Sequence, residues 1–123
     1  MLACLLWLML VSQQRVVMRI AVTVPVDPPE ALTAFLVQGS SSGARGEVRL
    51  RWKASPDSGC KGWTGTIVYR AQSGGVFKAL SAALPAQTSY VDNSIASGRE
   101  YQYEVLAWAN GTASKPSNVV TVK

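Results

Sequence analysis

The chain has no histidine, two cysteines and no helical apolar period of useful length, and each of these absences excludes a class of protein. Without histidine, and with Cys60 the one cysteine after residue 27, a Cys/His zinc site lacks its ligands, as does any Ser-His or Cys-His nucleophile pair. Cys4 lies in an apolar run and Cys60 in a Pro/Ser/Gly-rich loop, a placement that gives no disulfide framework. No intradomain disulfide is expected, and Cys60 reads as a tolerated loop residue rather than a reactive thiol. No metal or other cofactor is expected either.

Charge of one sign is scarce in any one place. The formal net charge of +5 is spread out, and from Pro28 onward ten Lys/Arg stand against six Asp/Glu, or +4. The nearest thing to a basic cluster is Arg49, Arg51 and Lys53, alternating along one expected strand without the interleaved aromatics of a nucleic-acid binder. It reads as a solvated outer sheet face, so nucleic acid is not an expected partner.

Long apolar runs are missing too. Leu2 to Val11 is ten residues long, half of the roughly 20 that a membrane-spanning helix needs. Ten residues suit the core of a signal peptide, but there is no positively charged leader and no small-x-small cleavage site after it. Leu2-Ala3-Cys4 has the look of a lipoprotein signal end, yet that cysteine precedes the apolar run instead of following it. Farther on, Ile20, Val22, Val24 and Val26 alternate with Ala21, Thr23 and Pro25 at the period of a half-buried strand. Residues 1–27 are therefore a leader, a linker or the last strand of a preceding repeat, and residues 1 to about 15 are expected to lie outside the fold. Contact with a membrane is expected only through the N-terminal apolar segment, if it stays uncleaved.

What is present is a series of short alternating runs separated by turn clusters. Strands are expected at 31–37, 47–53, 64–71, 76–80, 87–91, 100–109 and 119–122, the pattern of an antiparallel sandwich. Residues 47–53 alternate strictly, which sets Val48, Leu50 and Trp52 on one face and Arg49, Arg51 and Lys53 on the other. Gly74-Gly75 and Asn110-Gly111 are hairpin-turn signals. With Tyr101 and Val105 pointing inward on the sixth strand, the expected core includes Leu50, Trp52, Tyr101 and Val105.

Taken in order, these residues resemble the fibronectin type III family from Pro28 to Lys123. The resemblance rests on Pro29-Glu30-Ala31-Leu32-Thr33-Ala34, on Val48-Arg49-Leu50-Arg51-Trp52 and on Gly65-Thr66-Ile67-Val68-Tyr69-Arg70. It continues through Thr88-Ser89-Tyr90-Val91-Asp92, then Tyr101 six residues after Ile95 with the spacing of a tyrosine corner, and ends in Tyr103, Val105, Ala107, Asn110-Gly111 and Pro116-Ser117. It implies a seven-stranded antiparallel immunoglobulin-like β-sandwich over residues 28–123. The third strand is similar to the bacterial form of the family. Trp63 and Cys60 occupy a longer loop than is usual, and Trp108 stands where smaller residues are common. Arg45-Gly46-Glu47 has the wrong acid, in the wrong loop, for integrin recognition.

An enzyme is not expected. The six acids of the domain read as turn or outer-face residues, and Glu100 and Glu104 on one strand are about 13 Å apart, beyond the separation of roughly 5 to 9.5 Å that glycosidases use. Strand parity supplies the one candidate binding face. If Tyr101 and Val105 point inward, Leu106 and Trp108 point out, and Ile67 and Tyr69 of the paired strand point out beside them. The face reads either as a contact surface or as apolar side chains half covered by their neighbours. The expected role is a non-catalytic extracytoplasmic spacer or protein-interaction module of a bacterial surface, secreted or phage-structural protein, with a protein or adjacent domain as partner. The alternative is an accessory module that stacks carbohydrate on Trp108, Tyr69 or Trp63. Asn110-Gly111-Thr112 has the form of an N-glycosylation site and is read as chance.

Overall fold

A computed structural model describes residues 26–38 and 46–123. The elements are β1 (Glu30–Val37), β2 (Glu47–Lys53), β3 (Trp63–Gln72), β4 (Lys78–Ala79), β5 (Ser89–Asp92), β6 (Tyr101–Ala109), β7 (Thr112–Ala113) and β8 (Val120–Val122). They form two antiparallel sheets. One has the order β1-β2-β5, and the other the order β4-β3-β6-β7 with β8 also on β6.

Period-2 patterning creates the layers. Val48, Leu50 and Trp52 of β2 are buried while Arg49, Arg51 and Lys53 are exposed, and β6 buries Tyr101, Tyr103, Val105, Ala107 and Ala109 at alternate positions. Leu50, Trp52, Tyr101 and Val105 meet in one cluster with Leu32, Val68, Ile95 and Tyr103. Fully burying an aliphatic or aromatic side chain contributes about 1.5 to 3 kcal/mol, so this cluster supplies the main force joining the sheets. Tyr101 closes one end, its phenolic oxygen accepting the Ala96 N–H at 2.8 Å. The corner contact thus runs from backbone donor to phenol, where the expected tyrosine corner has the hydroxyl donate to a backbone acceptor.

The seventh expected strand, 119–122, is present as β8, and a short strand that was not expected, β7, precedes it on β6. Pro116 has no N–H to donate, and the chain between β7 and β8 bulges. The ladder is nonetheless completed by serine hydroxyls. Ser114 donates its N–H to the Ala107 carbonyl at 2.7 Å and accepts the Ala107 N–H on its Oγ at 2.9 Å. Ser117 does the same for Val105, at 2.9 and 3.0 Å. On the other side of the sheet, the Ser81 hydroxyl accepts the Val68 N–H at 3.0 Å. Each hydroxyl then donates to the carbonyl of the next residue. A hydroxyl both accepts and donates, so a bulged segment satisfies a regular neighbour without a strand's geometry.

Two turns have paired left-handed residues. Asn110 (φ 54°) and Gly111 (φ 74°) form the expected hairpin turn. The other turn is centred on Ser73 (φ 48°) and Gly74 (φ 79°), one residue earlier than the Gly-Gly pair suggests, with the Gly75 N–H on the Gln72 carbonyl at 3.0 Å.

The described fold includes Val26 and Asp27. Val26 is buried against Ala107 and Ala109, and Asp27 donates its N–H to the Asp57 carboxylate at 2.8 Å while its carbonyl accepts the Ser55 hydroxyl at 2.7 Å. The readings made for residues 1–25 as signal, linker or preceding strand lie outside the described residues. Cys60 corrects an expectation: it is disulfide-bonded. The chain's other cysteine, Cys4, lies outside the described residues.

Candidate functional site

The outer face of β3 and β6 is built by their antiparallel register. Ile67 lies opposite Leu106, Tyr69 opposite Glu104, and Gly65 opposite Trp108. The four residues singled out by parity therefore form one diagonal band from Tyr69 through the Ile67/Leu106 pair to Trp108. Inward-facing Thr66 and Val68 are buried, and all four members of the band are half-buried.

Gly65 makes room at the Trp108 end. Its φ of 145° favours glycine, and a Cβ there would come within 2.8 Å of the Leu84 backbone. Thr66 exchanges backbone hydrogen bonds with Leu84 at 2.9 and 3.0 Å, so this close approach is fixed by pairing. The Trp108 indole nitrogen is fully buried and has no hydrogen-bond partner among the described residues. A buried donor without an acceptor costs about 1 to 3 kcal/mol. Burial of the face also acts on Glu104, whose carboxyl is pushed above its ordinary value by desolvation.

The third aromatic residue read as a carbohydrate platform, Trp63, is tied into the fold. Trp63 is half-buried, packs on the Val26/Ala107/Ala109 cluster and donates its indole N–H to the Pro85 carbonyl at 2.9 Å. It shares no row with Tyr69 and Trp108 on the face.

Two acids that read as turn or outer-face residues are buried. Asp57 is 1% exposed and Asp92 2%. Asp92 ends β5 and bridges the two sheets: Tyr103 Oη donates to it at 2.6 Å, Arg70 Nη1 at 2.9 Å, and the Ser94 hydroxyl at 2.6 Å and amide at 3.0 Å. Burial pushes the Asp92 carboxyl up, but the donors from Ser94, Tyr103 and Arg70 outweigh it and hold the carboxyl below its ordinary value. Burial, and then the adjacent Asp92, raise the Tyr103 hydroxyl. The Arg70 guanidinium also lies 5.1 Å from the Tyr101 ring centre. This network was not legible in the sequence, because its members are far apart in the chain and join only when the sheets pack. With its lone pairs occupied, Asp92 is a structural tie and not a general base. Among the described residues, no group of three or more His, Cys, Asp or Glu is placed to hold a metal ion.

Two antiparallel sheets packed face to face on a Trp/Tyr core, with a tyrosine corner at one end, define an immunoglobulin-like β-sandwich. Its structural neighbours are fibronectin type III domains, and the chain has that fold. It is similar to an Fn3-like protein from Clostridium thermocellum at 28% identity and a TM-score of 0.60, covering 80% of this chain and 92% of that one. It also matches titin domains A168–A170 at 23% identity and a TM-score of 0.61, covering 80% of this chain and 32% of theirs. A human fibronectin type III domain matches at 19% identity and a TM-score of 0.59, covering 83% of this chain and 88% of that one. No protein-family model and no curated protein matches the sequence. The neighbours are mostly domains of a typically non-catalytic kind, and some stand beside a kinase or lyase domain. A fibronectin type III-like fold suggests an interaction or spacer module that occurs alongside other domains.

Proposed function

We propose that this chain is a non-catalytic, extracytoplasmic spacer or protein-interaction module of a bacterial surface, secreted or phage-structural protein, and that it docks a protein partner or adjacent domain through the outer face of β3 and β6. The observation that carries the reading is the contiguous band of Tyr69, Ile67, Leu106 and Trp108, set by the register of one strand pair. Covering such a band contributes roughly 25 cal/mol per Å² of apolar area removed from water. The disulfide at Cys60 supports an oxidising, extracytoplasmic compartment. Protein docking is favoured over carbohydrate stacking because Trp63, Tyr69 and Trp108 are half-buried and Trp63 is tied to the Pro85 carbonyl, whereas a sugar platform needs coplanar exposed rings.

The test is a photo-crosslinking amino acid placed at position 69 or 106 of the full chain, produced in its native cell, with exposed position 97 in the turn before β6 as control. Expected is one discrete protein adduct from positions 69 and 106 that is absent from position 97. Identical adduct patterns from all three positions would overturn the docking face. An alkaline phosphatase fusion inactive in that host would overturn the extracytoplasmic location.

A further inference from the structure

The outer face of the other sheet, β1-β2-β5, has a pattern that the docking reading does not use. Phe35, Arg49 and Val91 lie in one cross-strand row, and Thr33, Arg51 and Ser89 in the next. Phe35 is 65% exposed and Val91 47%, two of four large apolar side chains exposed among the described residues, and they flank the same arginine. Along β2, Arg49, Arg51 and Lys53 share this face and are all exposed.

The three cations are not equivalent. Arg49 is taken by Glu47, with Nε 2.6 Å from its carboxylate. Arg51 and Lys53 have no ion-pair partner among the described residues, and Glu30, in register with Lys53, forms no ion pair with it. The row that holds the neutralised arginine is thus the row with exposed apolar walls, and the next two positions along the strand offer free positive charge.

We propose that this face binds an extended acidic segment of a partner protein, with an apolar residue seated between Phe35 and Val91 and carboxylates at the second and fourth positions beyond it over Arg51 and Lys53. The spacing selects this occupant. Same-face side chains on β2 repeat every ~6.6 Å, which is also the repeat of alternate side chains in any extended polypeptide. A chain laid along β2 therefore stays in step with the cations, and its pattern is apolar-x-acid-x-acid. Carboxylates on adjacent residues point to opposite sides and satisfy one cation at most.

The probe is a fluorescein-labelled peptide containing Leu-Thr-Glu-Thr-Glu, compared by fluorescence anisotropy at low ionic strength with its isomer Leu-Thr-Thr-Glu-Glu. With the full chain, the alternating peptide should bind about tenfold more tightly than the isomer, a difference of about 1.4 kcal/mol. Arg51→Glu should abolish that preference, and Phe35→Ser should weaken the alternating peptide severalfold. Both positions are solvent-facing, and an unchanged melting curve for each variant establishes that it folds. Equal affinity for the two isomers, no binding of either, or an unaltered preference in Arg51→Glu overturns the proposal. Heparin displacing the peptide while Phe35→Ser has no effect would show a general polyanion surface and overturn it as well.

Discussion

Asn118 holds both backbone polar groups of Leu32: its Oδ1 accepts the Leu32 N–H at 2.9 Å and its Nδ2 donates to the Leu32 carbonyl at 2.9 Å. One side chain thus replaces a neighbouring strand at the edge of β1. Ala31, immediately before, has φ 53°, a left-handed conformation that costs a residue with a Cβ roughly 1 to 2 kcal/mol. The register of β1 on β2 shifts at this point, between Glu30 and Thr33. The clasp holds that bulge and aims Leu32 into the core. Asn118→Ala is expected to destabilise by roughly 1 to 3 kcal/mol in denaturant unfolding. Asn118→Asp, which retains only the acceptor, should fall between it and the parent. A midpoint unchanged by Asn118→Ala would show that water replaces the clasp without cost.

Ser114 is the most buried of the serines that complete the ladders, at 6% exposure. Ser114→Ala strands the Ala107 N–H and should destabilise by about 1 to 3 kcal/mol, with Ser114→Thr recovering part of the loss. Faster hydrogen exchange at the Ala107 amide is the specific signature. A destabilised variant with unchanged exchange at that amide would place the effect elsewhere.

The Asp92 network predicts two limits of stability with pH. A carboxyl held below its ordinary value of 3.8 in the folded state contributes stability that is present above pH 3.8 and lost as the pH falls through the folded value. A tyrosine raised above 10.0 contributes stability that is present below pH 10.0 and lost as the pH rises beyond it. Asp92→Asn is expected to be less stable than the parent at neutral pH and to show a flatter acid limb of Tm against pH. Parallel acid limbs for the two proteins would remove Asp92 as the cause.

Glu104 has the opposite sign. Its carboxyl is raised above 4.5 by burial, so it favours the folded state below that pH and opposes it as the pH rises through the folded value. Glu104→Gln is expected to raise Tm at neutral pH, with the gain disappearing below pH 4.5. If the protein partner buries this face, the same substitution strengthens association more at neutral than at acid pH. A gain independent of pH would assign the effect to packing instead.

The sequence by itself determined the strands with strong alternation, the inward face of each and the Asn110-Gly111 turn. These follow from the period-2 geometry of a strand and from turn chemistry, both local properties that each residue run records. The closeness of Ile67, Tyr69, Leu106 and Trp108 also needs the pairing of β3 with β6, which two other strands separate in the chain. Tertiary structure decided what alternation does not encode. Periodicity tells which way a side chain points but not what it meets there. Hence Asp92, read as a turn acid, became the buried tie of two sheets, and Cys60, read as a loop thiol, became disulfide-bonded. β7 and the segment that joins it to β8 were not expected along β6, because only packing shows that Ser114 and Ser117 satisfy β6 with hydroxyls where Pro116 interrupts the ladder. The two outer faces differ for the same reason: register sets Phe35 and Val91 on either side of Arg49, and register is fixed by contacts between residues distant in the chain.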